Sequence, residues 1–176
     1  VDEAYIDFAV KSAIELIEKY DKLIVVQTFS KARSMAGMRI GYAMSNPTLI
    51  KYLNDAKYAF NSYTMNQTSL VCGVEAVKDK TYFEKQVQQI IETREWTKEQ
   101  LSQLGFTFPD SRSNFIFATH EIYDAKAIFE ALKEADIYVR HFNGDRIKNY
   151  LRITIGTKEE METLISFLKG YVNQSK

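Results

Sequence analysis

The sequence has few of the residues that interrupt secondary structure or form crosslinks. Its 176 residues include seven glycines, two prolines and a single cysteine, Cys72. One cysteine cannot form an internal disulfide or a cysteine-based metal cluster, and scarce cysteine is typical of a reducing compartment. Because no stretch rich in Ser, Gly or Pro occurs, a flexible linker is excluded as well. We therefore expect a cytoplasmic protein whose domain boundaries lie inside structured elements.

An excess of charge of one sign is also missing. Lys and Arg together number 23, as do Asp and Glu, so the formal net charge at neutral pH is zero. A general electrostatic attraction to nucleic acid or to anionic lipid therefore has no basis in the composition. No run of about 18 apolar residues predicts a membrane span. We expect neither nucleic acid nor a membrane as a partner, and any anion-binding site must be local.

Helical and strand-like patterns alternate along the chain. Helical periodicity covers residues 9–20, 47–57, 64–78, 82–104, 125–135 and 157–171, and strand-like patterns cover residues 23–26, 38–44, 114–119, 137–141 and 150–155. Two helix starts have recognisable caps, Asn46 before a proline and Thr157 with Glu160 three residues later. This order predicts an α/β first part, residues 1–85, and a small layered α+β second part, residues 86–176.

A basic turn rich in hydroxyl groups follows the strand-like residues 23–26. Residues 28–42 read Thr-Phe-Ser-Lys-Ala-Arg-Ser-Met-Ala-Gly-Met-Arg-Ile-Gly-Tyr. Hydroxyls and a planar guanidinium together suit a phosphate dianion, because they supply directed donors and compensating charge. A lysine among them, Lys31, is a candidate nucleophile toward an aldehyde. The alternative is a solvated basic loop without a ligand.

Asp2 is expected at the same edge of the sheet as Lys31. It ends the opening strand, and a helix over residues 9–20 would return the chain parallel to that strand. The carboxyl ends of parallel strands form the ligand crevice of open α/β sheets. An acid and a lysine there suit pyridoxal phosphate (PLP), because the lysine binds its aldehyde and an aspartate keeps its pyridine nitrogen protonated. By itself, Asp2 fits an ordinary strand-end carboxylate equally well.

Three motifs in order resemble one enzyme family. They are Asp-Glu-Ala-Tyr-Ile-Asp-Phe at residues 2–8, Thr-Phe-Ser-Lys-Ala with Ala-Gly-Met-Arg-Ile-Gly-Tyr within residues 28–42, and Tyr-Leu-Arg-Ile-Thr-Ile-Gly-Thr at residues 150–157. The resemblance is to the fold-type I PLP-dependent aminotransferases, and among them to the branch that acts on histidinol phosphate. It implies part of a PLP-transferase-like large domain followed by a small α+β C-terminal domain.

The resemblance also implies the substrates, the oligomeric state and the part of the family's chain that this sequence covers. The substrates are L-histidinol phosphate and 2-oxoglutarate or glutamate, and the family is homodimeric with active sites shared between subunits. All 176 residues follow roughly the second half of the family's chain, and the first residue is Val1 rather than Met. We therefore expect part of a longer protein, inactive by itself because the other walls of the cofactor site are missing.

Residue by residue, the resemblance assigns the following roles. Lys31 matches the catalytic lysine that binds the cofactor. The other cofactor-binding positions are Asp2 at the pyridine nitrogen, Tyr5 at the ring oxygen, and Ser30 and Arg39 at the phosphate, with Thr28 as a further phosphate ligand. The substrate-binding positions are Arg152 for the α-carboxylate, Arg140 for the substrate phosphate, and Asn114. Arg33 and Ser34 depart from the family, which usually has an aromatic and a small residue there.

Two other functions fit the sequence. One is an aminotransferase for aromatic or other amino acids, and the other is a non-catalytic α/β binding or assembly domain in which Lys31 is an ordinary surface lysine. We expect no metal site, because His120 and His141 read as surface or loop histidines without further ligands at metal spacing. The aromatic residues Tyr58, Phe60 and Tyr63 read as an apolar loop patch suited to a dimer contact.

Overall fold

The computed structural model describes residues 1–174, which form two compact units divided between Val87 and Gln88. In the first unit, strand β1 (Val25–Thr28) pairs antiparallel with β2 (Gly41–Met44). Two helices follow, α1 (Pro47–Phe60) and α2 (Gln67–Lys78). The division between the units lies inside the next helix, α3 (Lys80–Gln103).

Residues 1–3 extend the sheet of the first unit on the other side of β1. Asp2 forms a parallel bridge with Val26. The amide of Val26 donates to the carbonyl of Val1 at 3.0 Å, and the amide of Glu3 donates to the carbonyl of Val26 at 2.8 Å. The parallel return that the sequence predicted is therefore present, and it places Asp2 beside the strand that leads to Lys31.

The helix expected over residues 9–20 is wrong. Short 3₁₀ helices occupy Ile6–Phe8 and Ala13–Leu16 instead. Val10, expected on the apolar face of that helix, is 84% exposed, so this face has no core to pack against. The amide of Ala13, which an α-helix would use within its own backbone, donates instead to the carboxylate of Glu3.

Helix α1 begins as the sequence predicted and ends later. The side chain of Asn46 accepts a hydrogen bond from the amide of Leu49 at 3.0 Å, and Pro47 occupies the first turn. The helix continues to Phe60, so Tyr58 and Phe60 lie on a helix rather than in a loop. None of its residues is buried within the described part of the chain. The aromatic patch is therefore mainly a helix surface.

The second unit is a four-stranded antiparallel sheet with helices on one face. Its strands are β3 (Phe106–Thr107), β4 (Phe115–His120), β5 (Arg140–His141) and β6 (Leu151–Thr154), in the order β3-β4-β6-β5. Helices α4 (Ala125–Glu134) and α5 (Lys158–Gln174) complete the unit. At the start of α5, the amide of Thr157 donates to the Glu160 carboxylate and the amide of Glu160 donates to the Thr157 hydroxyl, as a capping box requires.

The core of the second unit lies between one face of this sheet and its helices. Alternate residues of the strands point inward because side chains along a strand alternate between its faces. The fully buried members include Ile116 on β4, Leu151 and Ile153 on β6, Ile128 and Leu132 on α4, and Leu164 and Leu168 on α5. The outward positions between them are free to carry polar function.

Two strands are shorter than predicted, and one was not predicted. β2 has four residues where the sequence predicted residues 38–44. β5 has two residues where the sequence predicted residues 137–141, and β3 was not predicted because two residues carry no visible periodicity. Among residues 1–174, no helix combines the length and the apolar composition needed to cross a membrane.

Replacing Ile128 with Ala should lower the free energy of unfolding by about 2–5 kcal/mol, because it opens a cavity in the core of the second unit. Ile128 is 1% exposed, whereas Ile122, just before the same helix, is 79% exposed. The matched change Ile122→Ala should alter the free energy by less than about 0.5 kcal/mol. Urea denaturation of the chain measures both changes, and equal effects would contradict this core assignment.

Candidate functional site

Lys31 lies in a tight turn just beyond β1. The amide of Ser34 donates to the carbonyl of Lys31 at 3.0 Å, and the amide of Met35 donates to the carbonyl of Phe29 at 3.1 Å. The Lys31 amine lies 5.6 Å from the centroid of the Tyr5 ring, within the range of a cation–π contact. The structure therefore brings together two residues that the sequence assigned to one cofactor site.

Asp2 is exposed at the edge of the strand beside β1. Its Oδ1 accepts a hydrogen bond from the amide of Ala4 at 2.9 Å, and its backbone is held by the parallel bridge to Val26. Because one carboxylate oxygen accepts this local bond and the group is exposed, the carboxylate keeps acceptor capacity for a ligand. Asp2 thus lies on the strand segment beside β1, and Lys31 lies in the turn that follows β1, in the same unit.

Two hydroxyl groups meet where β1 ends. Oγ1 of Thr28 lies 2.9 Å from Oγ of Ser30 and 3.1 Å from the carbonyl oxygen of Ile40, and it accepts from the amide of Ser30 at 3.1 Å. A hydroxyl has one proton, so Thr28 donates to only one of its two acceptors at a time. When that proton goes to Ser30, the Ser30 hydroxyl is the acceptor of the pair and its own proton is free for another acceptor.

The two arginines of the turn have different environments. Arg39 is exposed in a left-handed backbone conformation (φ 56°), and its Nη1 donates to the carbonyl of Ala36 at 2.7 Å. Arg33 instead donates from Nη1 to the carbonyl of Ala76 at 2.6 Å and lies 3.9 Å from the centroid of Phe83. Arg33 therefore packs on an aromatic ring in the position where the family usually has an aromatic residue.

Glu3 is a site residue that the sequence analysis missed. It is 9% exposed, and its carboxylate accepts hydrogen bonds from the Ser12 hydroxyl at 2.7 Å, the Ala13 amide at 2.6 Å and the Gln27 side-chain amide at 2.9 Å. Burial acts to raise the pKa of Glu3, but these bonds outweigh it and hold the pKa below the ordinary value. No pattern in the sequence distinguishes this glutamate from an exposed one.

Arg140 and Arg152 lie opposite each other in the second unit. They are register partners on the antiparallel strands β5 and β6, and Phe117 of β4 is the partner of Arg152 on its other side. The guanidinium of Arg140 lies 5.5 Å from the Phe142 ring centroid, and that of Arg152 lies 5.1 Å from the Phe115 ring centroid. The face of the sheet opposite the core thus carries two cations supported by aromatic rings.

This pair of like charges is costly without an anion. Like charges directly opposite each other on neighbouring strands are destabilising. Within the described part of the chain, Nε of Arg152 is buried and has no hydrogen-bond partner. The ring of Phe117 stacks on Tyr150 with centroids 4.6 Å apart, which gives the face a flat apolar floor. The arrangement suits a ligand that carries two separated negative groups.

Asn114 lies at the beginning of this sheet face, just before β4. Its backbone carbonyl accepts a hydrogen bond from the amide of Ile155 at 2.9 Å, so it joins the start of β4 to the end of β6. The structure therefore places Asn114, Arg140 and Arg152 in one sheet of the second unit. Asp2, Tyr5, Ser30, Lys31 and Arg39 all lie in the first unit.

The expectation that His120 is a surface or loop histidine is wrong. It is 5% exposed, its Nδ1 accepts from the amide of Ile122 at 3.1 Å, and its Nε2 lies 3.1 Å from the carbonyl of Leu104. Because Nδ1 accepts, the proton is on Nε2, which donates to Leu104. Between residues 1 and 174, no group of three or more His, Cys, Asp or Glu residues is arranged to hold a metal ion.

Comparison with known proteins identifies similar sequences and structures. The family described as aminotransferase class I and II matches residues 1–168. The chain is 49% identical over 174 residues to histidinol-phosphate aminotransferase of Clostridium botulinum (strain Okra / Type B1), covering 99% of this chain and 49% of that protein. It is 52% identical over 170 residues to the protein of that name from Brachyspira hyodysenteriae, covering 96% of this chain and 48% of that protein.

Solved structures give the same result at the level of the fold. The histidinol-phosphate aminotransferase of Clostridium acetobutylicum has a TM-score of 0.87 at 25% identity, over 98% of this chain and 53% of its own. The Sinorhizobium meliloti enzyme, solved in complex with pyridoxal-5'-phosphate, has a TM-score of 0.84 at 25% identity, over 99% of this chain and 48% of its own. The expected α/β fold class is confirmed, and the chain spans about half the length of the curated relatives it matches.

Neutralising two arginines of the second unit should change the free energy of unfolding by very different amounts. Arg94, on α3, is 3% exposed and donates to the Glu95 carboxylate at 2.8 Å and the Ser113 carbonyl at 3.0 Å. Arg94→Gln should lower the free energy of unfolding by about 2–3 kcal/mol, because bonds to a charged group are lost in a buried place. Arg140→Gln should change it by less than about 0.5 kcal/mol, because Arg140 is exposed and repelled by Arg152.

Urea denaturation of the two variants measures this difference. A loss of stability in Arg140→Gln as large as that in Arg94→Gln would contradict the view that Arg140 is available to a ligand and is not part of the structural framework.

Proposed function

The chain belongs to the class I and II aminotransferases, and from this premise we propose that the natural gene product containing it is a PLP-dependent aminotransferase. It transfers an amino group between L-histidinol phosphate and 2-oxoglutarate. The observation that carries the proposal is the position of Lys31 at the end of β1, with its amine over the Tyr5 ring and the Asp2 segment paired to the same strand. Identity of about one half to curated histidinol-phosphate aminotransferases supports the substrate.

The polar groups around the end of β1 and on the segment beside it fit PLP in number and in chemistry. A primary amine, Lys31, suits the aldehyde, and an exposed carboxylate, Asp2, suits the pyridine nitrogen. For the phosphate there are a free hydroxyl donor on Ser30 and a guanidinium on Arg39 that uses one of its five N–H groups on Ala36. Thr28 supports Ser30 by accepting from its amide.

When bound, PLP supplies an electron sink for a substrate carbon that loses a proton. With PLP bound, the Asp2 carboxylate would hold a proton on the pyridine nitrogen, and the Tyr5 hydroxyl would donate to the ring oxygen. The Lys31 amine would be the base that takes the proton from the substrate Cα and returns it to C4′, the aldehyde-derived carbon of the cofactor. Both acid–base tasks require groups on a rigid framework, and the pairing of residues 1–3 with β1 provides it.

The two arginines on the outer sheet face bind the anionic groups of the substrates. Arg152 binds a carboxylate, a task suited to its planar fork of donors, and the buried Nε without a partner supports this role. Arg140 binds the phosphate of histidinol phosphate or the distal carboxylate of the second substrate. An anion at each guanidinium removes the repulsion between the register partners.

The proposal extends to the assembly and the compartment of the gene product. The gene product is a homodimer, and the aromatic surface of α1 supports this, because Tyr58 is 63% exposed and Phe60 is 94% exposed. It is cytoplasmic, in keeping with one cysteine, Cys72, that forms no disulfide.

Borohydride reduction of the gene product with PLP should attach the cofactor covalently to Lys31 alone. Peptide mapping locates the adduct, the Lys31→Arg variant should lose it, and Lys57→Arg should keep it because Lys57 is an exposed residue of α1. A folded protein without an adduct on Lys31 would refute the aminotransferase proposal. That outcome would favour a non-catalytic α/β binding or assembly domain.

Arg140→Gln should lower kcat/KM for histidinol phosphate by about 10- to 100-fold, because a charge-assisted bond to the substrate phosphate is lost. The kcat/KM for an aromatic amino acid without a phosphate should change by less than about threefold, because that half-reaction places no distal anion at Arg140. Arg146→Gln, which neutralises an exposed arginine of the same β5–β6 connection, should leave both activities unchanged. Equal losses on both substrates would instead favour an aminotransferase for aromatic or other amino acids.

A further inference from the structure

A chain of side-chain hydrogen bonds connects β2, β1 and the Asp2 segment. The Tyr42 hydroxyl on β2 donates to Oε1 of Gln27 on β1 at 2.6 Å, and Nε2 of Gln27 donates to Oε2 of Glu3 at 2.9 Å. Tyr42 and Gln27 are register partners in the β1–β2 pair. The chain therefore crosses three adjacent strand segments and ends at the residue next to Asp2.

The direction of these bonds is fixed by the groups at the two ends. A carboxylate only accepts, so Glu3 requires the NH₂ end of the Gln27 amide, and the amide oxygen is left for Tyr42. Burial, with the negative charges of Asp7 and Glu3, raises the pKa of Tyr42, which keeps its hydroxyl in the donating form although Arg33 acts in the opposite direction. Only one arrangement of the three side chains satisfies every group.

Glu3 also holds its own segment in place. Besides Gln27, its carboxylate binds the Ser12 hydroxyl and the Ala13 amide, so it joins residues 1–3 to the following 3₁₀ helix as well as to β1. Side chains alternate along an extended segment, so a Glu3 side chain fixed on one side leaves Asp2 on the other. The Glu3 amide bonds to the carbonyl of Val26 within the same parallel bridge.

From these contacts we propose that Glu3 is a positioning residue, and that Gln27 and Tyr42 act through it to fix the Asp2 carboxylate relative to Lys31. This inference rests on the proposed function, because it assigns to Asp2 the pyridine nitrogen of PLP. Glu3 itself contacts neither cofactor nor substrate. By anchoring its segment, Glu3 keeps the neighbouring Asp2 carboxylate in position while the cofactor binds and reacts.

The test uses the natural gene product with the variants Glu3→Gln, Tyr42→Phe and their combination. Tyr42→Phe removes the hydroxyl and keeps the ring, which contacts Phe29 edge-on with centroids 6.0 Å apart. The matched control is Tyr20→Phe, at an exposed tyrosine. The measurements are kcat and KM at saturating PLP, and the ratio of the visible absorption bands of bound PLP at fixed pH, which reports the protonation state of the cofactor.

We expect kcat to fall about tenfold in Glu3→Gln and about threefold in Tyr42→Phe, as misplacement of a catalytic group produces. KM for histidinol phosphate should stay within about twofold, and the band ratio should change in both variants but not in Tyr20→Phe. The double variant should lose no more activity than Glu3→Gln, because Tyr42 acts through Glu3.

A wild-type kcat and band ratio in Tyr42→Phe would overturn the proposal, even if Glu3→Gln failed to fold. Additive losses in the double variant would overturn it too. Failure of the proposed function is a separate result, since the unmodified protein would then show no adduct on Lys31.

Discussion

Two backbone hydrogen bonds join the first three residues to Val26 of β1, and the candidate cofactor site depends on them. They bring an acid from one end of the unit beside the strand that leads to the lysine. Backbone pairing alone fixes the position of the Asp2 Cα, whereas the direction of its side chain depends on the Ala4 amide and on the anchored Glu3. This framework gives an exposed carboxylate a defined position through backbone and side-chain hydrogen bonds.

In the second unit, the alternation of side chains along a strand separates the hydrophobic core from the charged residues. Leu151 and Ile153 of β6 point into the core, and Arg152 between them points to the opposite face. The arginine therefore stands on a rigid strand without being part of the hydrophobic core. Aromatic rings beneath the guanidinium groups limit their motion, and the charge remains available to an anion. The hydrophobic core and the two guanidinium groups thus lie on opposite faces of one sheet.

Sequence motifs correctly predicted the features that depend on interactions between residues close together in the chain. The Asn46 cap and the Thr157–Glu160 capping box are both present, because each depends on residues three apart in the sequence. The helix over residues 9–20 failed for the converse reason. Its periodicity was real, but Val10 found no core, and a carboxylate from Glu3 bound groups that a helix would have used. A side chain outside a segment that binds one of its backbone amides cannot be predicted from the sequence of that segment.

The features of the candidate site also fall into those that local sequence predicts and those that depend on contacts between distant residues. The motif around Lys31 indicated a phosphate site and a lysine from residue types alone, and the parallel return of Asp2 followed from the predicted order of elements. The register of Arg140 with Arg152, the burial of His120 and the role of Glu3 all depend on pairings between distant residues. Residue spacing carries no information on such pairings. The packing of Arg33 on Phe83 could not be predicted either, because it depends on where α3, the helix that carries Phe83, lies in the fold.

The register of Arg140 with Arg152 has an evolutionary consequence. The connection between β5 and β6 sets which residues of the two strands face each other. A shift of one residue would turn Arg140 toward the core, whereas a shift of two residues keeps every side chain on its face. Such a shift moves one guanidinium by about 7 Å along the strand. Insertions or deletions in this connection would therefore change the spacing of the two guanidinium groups in steps of two residues, while the core-facing side chains stay on their face.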